Sequence, residues 1–175
     1  MRTNKSITLV AAALMAALTC TATVAVAIPS PTGGYIHPGD GFVILSGVIL
    51  GPLFGGLAAG LGSMLADLIL GYSAYAPATF IIKGLAALAA ALLYQGLHKK
   101  ISNKIVPLLI AAIVDGFIVT LGYFLFEGTL MGLGYGPALL NVPFNLVQNV
   151  FGIIISALLF PLLLKVPQIR SIMKQ

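Results

Sequence analysis

Runs of about 20 apolar residues recur along this chain, each long enough to cross about 30 Å of hydrocarbon as a helix. Short segments rich in glycine, proline or lysine separate them. Nothing else in the sequence restricts the fold as strongly. In hydrocarbon every backbone N–H and C=O must be satisfied internally, and a helix does this within one segment. Composition closes the alternative of a soluble domain. Only 7% of the 175 residues are charged and 59% are hydrophobic, against about 25% charged in a soluble domain. The expected fold class is an all-α membrane protein, a single integral-membrane domain over residues 1–175. That length leaves no room for a soluble catalytic domain. The single Cys20 sits in an apolar run and implies no disulfide framework.

Six spans are expected, at about 6–28, 41–54, 56–71, 78–97, 106–126 and 141–164. The stretch from Phe42 to Gly71 is too long for one span, and Gly51-Pro52 with Gly55-Gly56 breaks it into two short helices. Pro77 and Pro107 open the next spans, where a helix start tolerates proline. The first run has a rival reading as a secretory signal, because a basic start, an apolar core and Ala25-Val26-Ala27 fit that pattern. The net charge of +5 does not point to nucleic acid. Its cations gather in Arg2/Lys5, Lys99/Lys100/Lys104 and Lys165/Arg170/Lys174, each at the end of an apolar run, as expected of cytoplasmic loops. Six spans put all three clusters on one side, with both termini cytoplasmic. Five do so only if the first is cleaved.

The polar groups within these runs carry the chemistry. Ionisable residues in hydrocarbon are costly and usually face a bundle interior with a partner. Asp67 and Lys83 lie at similar depths on neighbouring spans, so a pair between them is expected, structural or in contact with a ligand. Asp115 falls in the middle of the fifth span and Glu127 at its outer end. On the sixth span Asn141, Asn145, Gln148, Asn149, Gly152 and Ser156 recur at spacings of three and four, which makes one polar stripe. Amides supply donors and acceptors without net charge, suiting a neutral heterocycle or helix-to-helix hydrogen bonds. Tyr35, Tyr72, Tyr75, Tyr123, Phe126 and Tyr135 gather at the outer end, beside two glycine-rich loops, 33–40 and 127–140. Rings and amides together can hold a flat aromatic molecule. Small residues at four-residue spacing, among them Ala12/Ala16 and Ala13/Ala17, permit close approach of another helix, inside the bundle or on a partner. There is no Gly-x-x-x-x-Gly-Lys-Ser/Thr phosphate loop, no His-Glu-x-x-His or paired-cysteine metal site, and no nucleophile with a nearby base.

Gly33-Gly34-Tyr35-Ile36-His37-Pro38-Gly39-Asp40, Leu50-Gly51-Pro52 with Gly55-Gly56, Leu65-Ala66-Asp67-Leu68 with Gly71-Tyr72, and Tyr75-Ala76-Pro77-Ala78-Thr79 with Lys83-Gly84 carry a family likeness. The chain resembles the membrane-embedded substrate-binding (S) components of energy-coupling factor (ECF) vitamin transporters. The specific motifs lie in residues 33–84, and the second half resembles the family in topology alone. The resemblance implies a non-enzymatic capture subunit in the bacterial cytoplasmic membrane. It would need no cofactor or metal and bind no nucleic acid. Its partners would be a small vitamin, membrane lipid, a transmembrane coupling (T) subunit and two ATPases. The expected substrate-binding set is Tyr35, His37, Asp40, Tyr75, Lys83, Glu127, Asn141, Asn145 and Gln148, and the expected docking face for the T subunit is Ala12, Ala13, Ala16 and Ala17. The pattern is nearest to the branch of hydroxymethylpyrimidine and pyridoxine carriers. Another vitamin such as riboflavin, a membrane-embedded enzyme and a stand-alone permease are the alternatives.

Overall fold

A computed structural model describes residues 5–30 and 33–173. Arg2 and Lys174, assigned above to basic clusters, lie outside the described residues. The chain is all-α apart from one short ladder. Its elements are α1 (Lys5–Ala25), β1 (Ile28–Pro29), β2 (Tyr35–Ile36), α2 (Asp40–Leu50), α3 (Pro52–Leu70), α4 (Ala76–Leu97), α5 (Ile105–Gly128), α6 (Tyr135–Leu163) and α7 (Pro167–Met173). Five of these, α1, α3, α4, α5 and α6, are long and apolar enough to cross a membrane.

The exception is α2. Its 11 residues rise about 16 Å, roughly half the hydrocarbon thickness, so six full-length spans are not what forms. It packs against α1, α3, α4, α5, α6 and α7, and all its residues but Phe42 are buried. An uninterrupted apolar sequence therefore serves here as the centre of a bundle, wrapped by the longer helices. Gly51 ends it. The φ of +80° at Gly51 is a conformation that only glycine adopts without strain, and Pro52 then starts α3 with its ring preset for a first turn. The break falls at Gly51, and Gly55 lies inside α3.

Small residues set the helix spacing. A Cβ added to Gly47 of α2 would collide with the carbonyl of Ala87 in α4, and one on Gly62 of α3 with the carbonyl of Ala16 in α1. Backbones approach this closely only where side chains are absent. The main apolar core runs through Ile44, Leu45 and Ile49 of α2, Ala90 of α4, Leu108 of α5 and Phe160 of α6.

The surface is the inverse of a soluble protein's. Phe117 is 66% exposed and Ile113 61%, while all four acidic residues, Asp40, Asp67, Asp115 and Glu127, are buried. Such a surface is stable only against lipid. The docking face expected on α1 divides. Ala12 and Ala16 are half-buried against the core, with Ala16 meeting α3, whereas Ala13 and Ala17 are exposed. Periodicity assigned these alanines to shared faces but not to a neighbour.

Three elements depart from the expected layout. Residues 28–36 form a two-residue antiparallel ladder, pairing Ile28 with Ile36 and Pro29 with Tyr35. The sixth helix starts at Tyr135, not at 141, because Gly134 turns the chain and Pro137 tolerates a first-turn position. The tail folds into α7.

Candidate functional site

Two ends of the bundle differ in chemistry. At one end, the 30–37 loop, the end of α3, the start of α4, the end of α5 and the start of α6 enclose a cavity with about 30 Å³ of free space. That holds one or two waters. Its wall includes Tyr35, His37, Tyr75, Glu127, Asn141, Asn145 and Gln148, seven of the nine residues expected from the sequence to bind substrate. Asp40 and Lys83 are not on that wall.

Lys83 and Asp40 form an ion pair in which both side chains are out of reach of water, at 0% and 1% exposure. This corrects the expected Asp67–Lys83 pair. Depth along a helix is readable from sequence, but α2 brings Asp40 to Lys83 of α4 and Gln148 of α6, and Asp67 accepts instead from the Tyr35 hydroxyl at 2.6 Å. Gln148 joins the ion pair to the wall. Its Nε2 donates to Asp40 Oδ2 at 2.7 Å and its Oε1 accepts from the His37 backbone N–H at 3.1 Å. One amide thus ties α2, α6 and the loop together. It completes the hydrogen bonding that a buried ion pair needs to offset its desolvation.

A second set of hydrogen bonds lines the same cavity. Glu127 accepts from the Tyr75 hydroxyl at 3.3 Å through Oε1 and from Asn141 Nδ2 at 2.8 Å through Oε2. The Thr79 and Tyr123 hydroxyls are 2.9 Å apart. Rings run in contact from His37 to Tyr35, Tyr72, Tyr75 and Phe126, with centroid separations of 4.7–6.4 Å, within the range of favourable aromatic pairs. Burial raises the Tyr35 and Tyr75 hydroxyls, and Asp67 and Glu127 respectively add to the effect. Both phenols therefore stay protonated as donors to their carboxylates.

His37 Nδ1 accepts from the Gly39 N–H at 3.1 Å and lies 3.2 Å from Thr23 Oγ1. An acceptor at Nδ1 places the ring proton on Nε2. Burial, above all, holds this imidazole down to about 4; Asp40 opposes the shift and Lys83 assists it. The folded chain therefore binds fewer protons at His37 than the unfolded chain between about pH 4 and 6.5. Stability from this group is complete above about 6.5 and is lost as pH falls toward 4. At pH 5 the loss is about 2 kcal/mol. Melting curves of the purified protein at pH 7.5 and 5 check this: His37→Gln should flatten the dependence, and an unchanged slope in that variant would assign it elsewhere.

The wall also contains Ser30, Asp67, Thr79, Tyr123 and Phe144, none of which was in the expected set. A signal existed for three of them. Thr79 is one helical turn from Tyr75, Tyr123 one turn from Glu127, and Phe144 lies three residues after Asn141 on the amide stripe. Among the described residues, six buried side-chain oxygens have no hydrogen-bond partner: Ser63 Oγ, Asp115 Oδ1 and Asn149 Oδ1 away from the cavity, and Ser30 Oγ, Asp67 Oδ2 and Asn141 Oδ1 on wall residues. The unmet acceptors on the wall favour a ligand that donates. Asn149 of the same stripe turns elsewhere, donating to the Gly116 carbonyl and Thr120 Oγ1 at 2.8 and 2.9 Å.

The family profile described as "ECF-type riboflavin transporter, S component" matches residues 3–165. An uncharacterized protein of Pyrococcus woesei, described as lying in the gap 3′ region, is 37% identical over 135 residues, 77% of this chain and 86% of that protein. A solved structure of the S component of a bacterial ECF transporter superimposes with a TM-score of 0.70 at 22% identity, covering 93% of this chain and 98% of that one. The likeness to that structure is one of fold.

Proposed function

Because the chain belongs to the family of ECF-type riboflavin transporter S components, we propose that it captures one small heteroaromatic vitamin or vitamin precursor in the cavity between the 30–37 loop and helices α3–α6. It is a multi-pass membrane subunit of a transporter and not an enzyme. As an S component it works with a T subunit and ATPase partners, here taken as one T subunit and two ATPases. In this reading the loop end faces outward and the basic end, with both termini, faces the cytoplasm of a bacterial cell. The crossing count is then six, with α2 as a short central segment. The positive-inside rule supports that orientation.

The observation that carries the ligand class is the chemistry of the wall. It has two carboxylates, three amides and five aromatic rings, and no lysine or arginine. Lys83, the cation nearest to it, is already committed to Asp40. Such a wall suits a ring bearing amino or hydroxyl donors and disfavours a carboxylated or phosphorylated one. Hydroxymethylpyrimidine and pyridoxine fit best. Riboflavin is the second reading, favoured by the description of the matching family, although its three fused rings need far more room than 30 Å³. Even one ring requires the loop to move outward.

Titration calorimetry of the purified chain against hydroxymethylpyrimidine, pyridoxine, riboflavin and nicotinic acid tests the class. One of the first two is expected to bind with 1:1 stoichiometry and the carboxylated pyridine not at all. Asn145→Leu should weaken that binding roughly tenfold with little change in melting temperature. Unchanged affinity would remove α6 from the site. For the docking face, proposed on the exposed Ala13 and Ala17, Ala13→Trp should stop uptake in cells and leave binding by the purified chain intact. Undiminished uptake would refute a role for α1 in coupling.

A further inference from the structure

A second cavity is larger than the one just described. At the basic end, the start of α1, the α2–α3 turn, the end of α4, the start of α5 and the α6–α7 segment surround about 540 Å³. Its cationic lining comes from three separate parts of the chain, Lys5 of α1, Lys104 before α5 and Arg170 of α7, with the His98 imidazole beside them. No acidic side chain lines it, and the four that the chain has are Asp40, Asp67, Asp115 and Glu127. The rest of the wall is mostly apolar, with Leu50, Leu53, Phe54, Leu164, Ile172 and Met173.

We propose that this cavity binds one anionic phospholipid, with its phosphate on Lys5, Lys104 and Arg170 and the upper part of its acyl chains along Leu53, Phe54 and Leu164. Uncompensated cations drawn from helices far apart in sequence repel one another, and an anion between them relieves that repulsion. Basic pockets between membrane helices suit anionic headgroups for this reason. Arginine adds a planar fork matched to phosphate oxygens. The apolar wall selects the source of the anion. A free phosphate covers only the charged part and leaves the apolar lining wet, whereas a phospholipid covers both. A partner's helix, about 10–12 Å across, fits only about one turn into this volume. Bound lipid would brace α7 and the start of α1 against the α2–α3 turn. Neither the vitamin site nor the coupling face on α1 requires this role.

Native mass spectrometry of the full chain from mixed detergent micelles containing equal phosphatidylglycerol and phosphatidylcholine tests it. One phosphatidylglycerol per chain is expected to be retained in preference to phosphatidylcholine. Lys104→Gln with Arg170→Gln should reduce that retention roughly thirtyfold. Lys99→Gln with Lys100→Gln removes the same charge from exposed positions at the same end that do not line the cavity, and should leave retention unchanged. Equal loss in both double variants would mean diffuse attraction and overturn the proposal, as would the absence of any preference for phosphatidylglycerol. Inorganic phosphate displacing the lipid at equal concentration would make this a soluble-anion site and also overturn it. Retention seen only in the assembled transporter would assign the cavity to a partner protein, with the same consequence.

Discussion

Lys83→Met is expected to destabilise the protein by about 3–5 kcal/mol, seen as a large fall in apparent melting temperature in detergent. Lys83 is fully buried, and its loss strands the Asp40 carboxylate with one remaining hydrogen-bond partner among the described residues, the Gln148 amide. The cost belongs to the stranded charge more than to the pair. Asp40→Leu combined with Lys83→Met should therefore recover most of the stability, since apolar replacement of both members of a buried pair is often neutral. About 1 kcal/mol should stay lost, because Gln148 Nε2 loses its acceptor. The double variant should nonetheless bind vitamin poorly, since Gln148 also holds the His37 backbone through Oε1. A double variant less stable than either single one would show that the pair stabilises the fold outright.

The second large effect concerns affinity. Asp67→Asn with Glu127→Gln should lower vitamin binding by roughly a hundredfold or more, at about 1.5–3 kcal/mol for each charge-assisted hydrogen bond lost. Both substitutions preserve shape. Asp67 keeps an oxygen for the Tyr35 hydroxyl and Glu127 one for the Tyr75 hydroxyl. What each loses is a second acceptor, replaced by an NH₂ group that cannot accept from a ligand donor; at Glu127 that oxygen is the one that receives Asn141 Nδ2. At Asp67 that second oxygen, Oδ2, is the one with no partner among the described residues. Calorimetry should therefore report weak binding with little change in melting temperature. Retained affinity, or a new preference for a carboxylated ligand in the parent chain, would overturn the donor-bearing ligand class.

What the sequence revealed followed from one-dimensional signals. Apolar run length located the five long helices, and Gly51-Pro52 located the end of α2 to within a few residues. Spacing of three and four on α6 correctly grouped Asn141, Asn145 and Gln148 on one wall. Rotation and neighbour choice were hidden. Similar depth alone pairs Lys83 with Asp67, because nothing in the run 41–50 reveals that it lies at the bundle centre and carries Asp40 to α4. The same blindness split the alanine face of α1, where Ala16 packs on Gly62 and Ala13 does not pack inward. Two-residue strands are too short to leave an alternating pattern, so β1 and β2 were not legible. Tyr135-Gly136-Pro137 reads as a turn, although it forms the first turn of α6. Asp115 is buried in α5, with Oδ1 unpartnered among the described residues.

The most direct test of the central claim is to extract the chain gently from the membranes of cells that make it and weigh what stays bound, beside an Asn145→Leu, Asp67→Asn control purified identically. The account predicts one small heteroaromatic molecule with amino or hydroxyl donors per chain, absent from the control. A retained ligand that is carboxylated or phosphorylated, or one held equally by the control, would contradict it.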